Sequence, residues 1–416
     1  MKLSFRACLC LCLVIAAGYG PGAAANSLSK ASRGLERGEL RGAGSSIDAA
    51  LQDQELDPTI RGQLLLQRAI LLARAGLVDE ALADLDRAVD EGTTGNRALL
   101  RRAQLYLSAE DFERARQDVD RVLADSPDDV DAHLLKARIA DTSGDVEECL
   151  ESLDRVVALR PTDPRGFFKR ALANRRLGRL EAAVDDLTST LALAETFAPA
   201  YVERAEVKTV LGESVFALAD LTRALDLDPY SSRALMARGR IHRELGNVIA
   251  AVDDFSAAVD ADPEAVEPYR ERADILRLNG RAKAAVKDYD RALAIKPNDP
   301  ETLASRANTH CAMGRLDDCL RDAERTLQLE PDNVEGLVAQ GMAFYGLEQK
   351  ENALKSYAQA MRLMPEDEAL ALVEVMQQRF NLSAPEEKSG FTWQFLSIQG
   401  QADLDRFIES MTQDPD

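Results

Sequence analysis

A 34-residue period runs through most of this 416-residue chain and restricts its fold more than any other feature. The clearest copy, residues 266–299, contains two amphipathic helical patterns, separated by Gly280 and closed by Pro297. Glycine interrupts the first pattern, and proline ends the second because it lacks the N–H that a further helical turn needs. Each repeat therefore encodes one helix pair, which has to stack on its neighbours to bury its apolar face.

Small residues recur at one slot of each helix, and a bulkier side chain usually follows four residues after the second slot. Facing small slots let the two helices approach closely. The first-helix slot holds Ala69, Ala103, Ala137, Ala171, Ala205, Gly239, Ala273, Ala307 and Gly341. The second-helix slot holds Ala81, Ala115, Cys149, Ala183, Ala217, Ala251, Ala285, Cys319 and Ala353. The sequence thus predicts an all-α protein whose helix pairs keep one register over nine repeats.

This pattern resembles the tetratricopeptide repeat, whose period is also 34 residues. The resemblance covers residues 62–367 as nine tandem units, although few units carry the aromatic residue typical of the fourth position. It implies a right-handed α-solenoid of stacked antiparallel helix pairs, the tetratricopeptide superhelix, with the first helices lining a concave groove. It also implies a non-catalytic scaffold or adaptor that binds a protein or peptide in that groove.

A basic residue precedes the small slot of most first helices, and an aspartate lies three residues after the small slot of most second helices. A half-buried cation destabilises a protein unless it is paired. We therefore predict a repeated ion pair within each unit. The basic series is Arg68, Arg102, Lys136, Arg170, Arg204, Arg238, Arg272, Arg306 and Gln340. The matching series is Asp84, Asp118, Ser152, Asp186, Asp220, Asp254, Asp288, Asp322 and Ser356.

By the same resemblance, the groove-lining slots are rich in arginine, although the chain as a whole has a net charge of −20. Arginine forks bind carboxylates bidentately, so an acidic segment of a protein partner is the predicted ligand. An ordinary solvated face is the alternative. Arg74 and Arg97 occupy such slots near the first units. The predicted ligand-binding residues are Arg138, Arg165, Phe168, Arg175, Arg176, Arg233, Met236, Arg240, Arg243, Arg270 and Arg277.

Residues 1–25 have the pattern of a cleavable signal peptide: a positive start, a short apolar run over 9–17, and Ala23 and Ala25 before the expected cleavage site. We therefore expect export to a periplasm, an extracellular space or an organelle lumen, with no membrane span in the mature chain. Residues 26–61 are expected to form a polar N-terminal segment or a degenerate repeat. Cys149, Cys311 and Cys319 are interpreted as small buried apolar residues, with a Cys311–Cys319 disulfide as the alternative.

The C-terminal residues continue beyond the repeats. Residues 368–380 are expected to form a capping helix, and residues 381–416 a linker followed by an amphipathic tail that contains the only tryptophan. This tail supports an alternative function. In that reading, the protein is a regulatory or assembly subunit of an envelope or secreted enzyme complex, and it docks through the tail.

No catalytic, metal-binding or cofactor motif is recognisable in this sequence. The three histidines, His133, His242 and His310, fall at helix slots that suit structural roles. The acidic composition disfavours nucleic acid, which needs a positive field for binding. The sequence therefore predicts no enzyme, no cofactor and no metal, and it leaves the oligomeric state open.

Overall fold

A computed structural model describes residues 40–53, 56–92, 94–365, 367–373 and 406. The predicted signal peptide, most of the predicted capping helix and the C-terminal linker and tail lie outside these residues, apart from residues 367–373 and Arg406. The structure divides into an N-terminal unit that ends at Ala200 and a C-terminal unit that begins at Tyr201. Each unit is described by itself.

The N-terminal unit begins with helix α1 (Leu40–Leu51), which packs on the first of four helix pairs. Those pairs are α2 (Pro58–Arg74) and α3 (Val78–Asp90), α4 (Asn96–Ser108) and α5 (Phe112–Asp125), α6 (Val130–Ser143) and α7 (Val146–Leu159), and α8 (Pro164–Arg176) and α9 (Leu180–Leu193). We call them pairs 1 to 4. Within this unit, the second helices of pairs 1 to 3 also pack on the first helix of the next pair.

Helix α10 (Ala198–Val210) begins at the end of the N-terminal unit and forms pair 5 with α11 (Ser214–Leu227). Four further pairs follow in the C-terminal unit. They are α12 (Ser232–Glu244) and α13 (Val248–Ala261), α14 (Val266–Leu278) and α15 (Ala282–Ile295), α16 (Pro300–Ala312) and α17 (Leu316–Leu329), and α18 (Val334–Gly346) and α19 (Lys350–Leu363). Residues 367–373 are again helical. The predicted all-α fold class of stacked antiparallel helix pairs is confirmed within each unit.

The turn inside each pair requires a residue with positive φ, which explains the recurrent glycine. Gly280 has a φ of 72°, and the equivalent glycines of six other pairs lie between 70° and 87°. Pairs 2 and 9 carry Glu110 and Glu348 at this turn, with φ values of 59° and 64°. Both glutamates therefore occupy the left-handed region, which side chains disfavour, and the stacking of the pairs holds them there.

The small slots are buried as the sequence predicts, and their residues vary with the bulky residue that they face. Pairs 6 and 9 place Phe255 and Tyr357 in the core, and their first-helix slots hold glycine instead of alanine. A Cβ atom built on Gly239 would lie 2.6 Å from Cε1 of Phe255, too close for any real contact. Pair 7 combines Tyr289 with Ala273, and its tyrosine hydroxyl donates to Asp274 at 2.6 Å.

Replacing Gly239 with alanine is expected to lower the free energy of unfolding by about 1–3 kcal/mol, because the buried Phe255 ring has no space to move. In a Phe255→Leu background the same substitution should be neutral or stabilising, since alanine is the better helix former by about 1 kcal/mol. Pair 5 already combines Ala205 with Leu221. Urea unfolding of the wild type, the two single variants and the double variant measures these changes. An equal loss of stability from Gly239→Ala in both backgrounds would contradict the steric explanation.

The predicted ion pair is present in seven of the nine pairs, and its geometry is the same in each. In pair 6 the guanidinium of Arg238 donates from Nε and Nη2 to the two oxygens of Asp254, at 2.9 and 2.7 Å. The aspartate is buried and the arginine is half-buried. The equivalent bidentate pairs are Arg68–Asp84, Arg102–Asp118, Arg170–Asp186, Arg204–Asp220, Arg272–Asp288 and Arg306–Asp322.

The two pairs without this arginine make different contacts at these positions. In pair 9, the Ser356 hydroxyl donates to Gln340 Oε1 at 2.8 Å. In pair 3, Lys136 instead reaches Asp120 of the preceding second helix at 2.8 Å. Several arginines also make this backward contact through Nη1, as in Arg102 with Asp86 and Arg306 with Asp290, both at 2.7 Å. One guanidinium thus joins three helices, which the sequence pattern did not predict.

Candidate functional site

Each unit has a candidate site on the exposed sides of its first helices, which are α2, α4, α6 and α8 in the N-terminal unit and α10 from Tyr201, α12, α14, α16 and α18 in the C-terminal unit. We call it the first-helix face. Successive first helices lie close enough on it for side chains to bridge them: Arg233 of α12 donates to Glu203 of α10 at 2.7 Å. The face is therefore a row of adjoining helices within each unit, as a peptide-binding surface requires.

Most of the predicted groove arginines of the C-terminal unit are ion-paired within this face. Arg233 also binds Glu206 through two further hydrogen bonds, at 2.6 and 2.7 Å. The bond to Glu206 raises the pKa of the Arg233 guanidinium, burial opposes that rise, and the bond to Glu203 adds to it. This arginine is therefore charged and already bound to two carboxylates.

Glu271 of α14 is the carboxylate that two arginines of the preceding first helix share. It is buried, with 10 % of its side chain exposed, and it accepts hydrogen bonds from Arg240 Nε at 2.9 Å and from Arg243 Nη1. Arg240 also contacts Glu267. Burial opposes charge on Arg240, but Glu271 and Glu267 together outweigh it and raise the pKa of the guanidinium. Two arginines predicted to bind ligand thus share one buried carboxylate.

Ion pairs between first helices continue from α14 to α16. Arg270 of α14 contacts Glu301 of α16 and lies 3.7 Å from Asp299, the N-cap residue of that helix. Arg277 lies 3.9 Å from Asp274. Burial raises the pKa of Asp274 and also that of Tyr289, whose hydroxyl donates to it. A series of ion pairs thus connects helix pairs 6, 7 and 8.

The predicted residues of the N-terminal unit differ in their surroundings. Arg165 is exposed and binds Asp163, its own helix N-cap, at 2.6 Å, and Arg176 contacts Asp141 of α6. Arg175 is half-buried. Arg138 is exposed and makes no ion pair with a described side chain. The predicted set is therefore not one cluster of free cations.

The two apolar members of the predicted set also have structural contacts. The ring of Phe168 packs edge-to-face on Phe197, with 4.9 Å between centroids. Met236 is buried in the core of pair 6 and cannot contact a ligand on the surface. Neither side chain adds an exposed apolar anchor to the arginines that surround it in the sequence.

A pocket that the sequence did not predict lies between α2, α3 and α4. Its volume is 280 Å³, and its apolar walls include Ile70, Leu85 and Leu105. Arg74 and Arg101 lie at this pocket. Arg74 occupies a predicted lining slot, whereas Arg101 occupies the sixth position of its unit and so was missed.

The described residues contain no group of three or more His, Cys, Asp or Glu side chains that could hold a metal ion. His133 is buried and its Nε2 lies 2.8 Å from the Pro127 carbonyl oxygen. His310 is buried beside Asp322, at 3.8 Å from Nε2 to Oδ2, and burial lowers its pKa. Within the described ranges, no helix is both long enough and apolar enough to cross a membrane.

The structure differs from the first prediction for two cysteines, Cys311 and Cys319. Cys149 is buried as predicted, and burial raises the pKa of its thiol to about 11. Cys311 and Cys319, which were interpreted first as apolar residues, form a disulfide with a Cα–Cα distance of 5.2 Å. The last turn of α16 and the first turn of α17 face each other across the tight turn at Gly314, and this brings the two sulfur atoms together.

The tetratricopeptide repeat family profile matches residues 100–164, 217–266 and 250–300. No curated protein sequence matches the chain. Among solved structures, a tetratricopeptide repeat protein from Parabacteroides merdae is 22 % identical, over 58 % of this chain and 96 % of its own, with a TM-score of 0.47. The profile match and the helix pairs support tetratricopeptide repeats within the matched residues.

Two further crystal structures are similar over shorter ranges. MamA is 24 % identical over 39 % of this chain and 94 % of its own, with a TM-score of 0.38. YrrB, described as a TPR protein with an unusual peptide-binding site, is 21 % identical over 45 % of this chain and 97 % of its own, with a TM-score of 0.39.

Proposed function

We propose that this tetratricopeptide-repeat solenoid is a non-catalytic scaffold that binds a protein or peptide on its first-helix face. The observation that carries the proposal is the continuity of that face: side chains of one first helix reach the next, as Arg233 reaches Glu203 and Arg240 reaches Glu271. A surface of adjoining helices suits an extended partner, and a large area of contact supplies affinity without a deep cleft.

We propose further that the bound segment is acidic. Arg74, Arg97 and Arg138 are exposed on first helices and form no ion pair among the described residues. Free guanidinium groups on an otherwise acidic protein would attract carboxylates and repel basic partners. The paired arginines of the C-terminal unit could contribute only by exchanging a partner within the chain for one on the ligand.

Site-specific photo-crosslinking tests the binding face. A benzophenone amino acid at Arg138, on the first helix of pair 3, is expected to crosslink a partner protein from the native host. The same group at Glu151, exposed on the second helix of that pair, serves as the matched control. Equal crosslinking from both positions, or crosslinking from Glu151 alone, would contradict the proposed face.

Export is a separate proposal, supported by the signal-like residues 1–25 and by the Cys311–Cys319 disulfide. Disulfides form and persist in oxidising compartments and are rare in reducing ones. A periplasmic, extracellular or organelle-lumen location would satisfy both observations. Sequencing the N-terminus of the protein from its native host tests this, since a mature chain should begin near Asn26.

Reducing the Cys311–Cys319 disulfide is expected to lower the free energy of unfolding by about 2–3 kcal/mol, as a short closed loop suggests. Maleimide labelling of the denatured, unreduced protein should modify Cys149 and leave Cys311 and Cys319 unmodified. A Cys311→Ala, Cys319→Ala variant serves as the control and should show no change on reduction. Three labelled cysteines per mature chain would contradict the disulfide.

A further inference from the structure

The pocket between α2, α3 and α4 has features that suit a binding site. Its apolar walls come from two successive pairs: Ile70 belongs to α2, Leu85 to α3 and Leu105 to α4. Leu85 is fully buried, while Ile70 and Leu105 are half-buried and so remain accessible. At 280 Å³, the pocket is slightly smaller than the 300–1,000 Å³ typical of small-molecule sites, so one side chain suits it better than a whole ligand.

The charges at this pocket are all positive. Arg74 and Arg101 line it, and none of its lining residues is acidic. Arg101 donates from Nη1 to Gln104 Oε1 at 2.9 Å, and neither arginine contacts a carboxylate of the described residues. Arg233 and Arg240 of the C-terminal unit, by contrast, each bind two glutamates. The free positive charge of the first-helix face therefore lies near the first pairs.

We infer that this pocket is the anchor of the ligand site, and that it takes an aliphatic side chain of an acidic partner segment whose neighbouring carboxylates bind Arg74 and Arg101. This inference rests on the proposed function and gives it a place and a ligand chemistry. The apolar walls remove the aliphatic side chain from water, while the two guanidinium groups select against neutral or basic neighbours. The ligand-binding set predicted from the sequence contains neither Arg74 nor Arg101.

A defined peptide tests the inference without knowledge of the natural partner. The probe is a fluorescent, end-capped peptide with one leucine between two runs of four glutamates, so that no terminal carboxylate is present. Fluorescence anisotropy with the full chain at low salt should show saturable binding. The same peptide with alanine in place of leucine should bind several-fold more weakly, and the peptide with glutamine in place of glutamate should not bind measurably.

Substitutions in the protein then locate the site. Arg74→Gln and Arg101→Gln should each weaken binding about ten-fold, the effect of one lost hydrogen bond to a charged group. Arg87→Gln is the matched control, because Arg87 is exposed on the second helix α3 and does not line the pocket. It should change affinity less than three-fold. Circular dichroism checks that each variant keeps its helical content.

Three outcomes would overturn the inference: equal losses from Arg87→Gln and Arg101→Gln, no effect of the leucine substitution, or no binding of the glutamate peptide at all. None of them bears on the photo-crosslinking at Arg138. A partner crosslinked there, together with a failed peptide titration, would leave the scaffold function standing and reject this pocket. Failed crosslinking together with leucine-dependent peptide binding would keep the pocket as a peptide site and reject the part of the binding face around Arg138.

Discussion

Replacing Arg238 with alanine is expected to lower the free energy of unfolding by about 3–5 kcal/mol, because it leaves Asp254 buried without its counter-charge. Replacing both residues with alanine should cost much less than the sum of the two single losses. The coupling energy from the double-mutant cycle should then be well above the ~0.5 kcal/mol of an exposed pair. Chemical denaturation measures it, and hydrogen exchange of α12 and α13 shows whether the loss is local.

The matched control for this cycle is Arg155 with Asp128, an ion pair of the same residue types at 2.8 Å. Its side chains are 54 % and 69 % exposed, so solvent screens their attraction. The coupling there should be no more than about 1 kcal/mol. If the two cycles give the same coupling, the repeated ion pair does not stabilise the helix pairs in the way that its burial implies.

Removing both Arg240 and Arg243 is expected to destabilise the C-terminal unit by about 3 kcal/mol, while either single substitution should cost about 1 kcal/mol or less. The reason is that Glu271 keeps one guanidinium in each single variant and loses both in the double variant. Adding Glu271→Leu to the double variant should restore most of the loss, because no charge then remains buried. Urea unfolding of the five proteins measures this non-additivity.

Arg165→Ala is the control for this series, since Arg165 is 71 % exposed and binds only its own N-cap aspartate among the described residues. It should change stability by about 0.5 kcal/mol or less. Additive losses from Arg240→Ala and Arg243→Ala, with no rescue by Glu271→Leu, would contradict the shared carboxylate. In that case, Arg240 and Arg243 would again be available to bind a ligand.

The repeated ion pair shows how far a sequence pattern alone can reach. Arg238 and Asp254 lie 16 residues apart, and the same interval recurs in every pair that contains both residue types. Because the helical period determines which face each residue occupies, the two series could be assigned to facing sides of one helix pair. The backward contacts, such as Arg102 with Asp86, were missed because one guanidinium has several donors and can reach two helices at once.

The candidate site was predicted less well than the fold. Slot positions placed Arg240 and Arg243 correctly on a first helix, but they could not show that Glu271 of the next first helix accepts hydrogen bonds from both. The same reasoning overlooked the pocket at Arg101, since a pocket arises from the spaces between several side chains. Cys311 and Cys319 were interpreted mainly as apolar residues because their spacing matches no common disulfide or metal motif.

The sequence by itself determined the helix pairs, their number within residues 62–367, the buried small slots and the ion pair inside seven of the nine pairs. All of these repeat every 34 residues, and the period of a helix converts spacing into a face. Only the tertiary structure decided which arginines are neutralised and which remain free for a ligand. That outcome depends on side-chain reach between separate helix pairs, over distances of about 3 Å that no periodic spacing along the chain specifies.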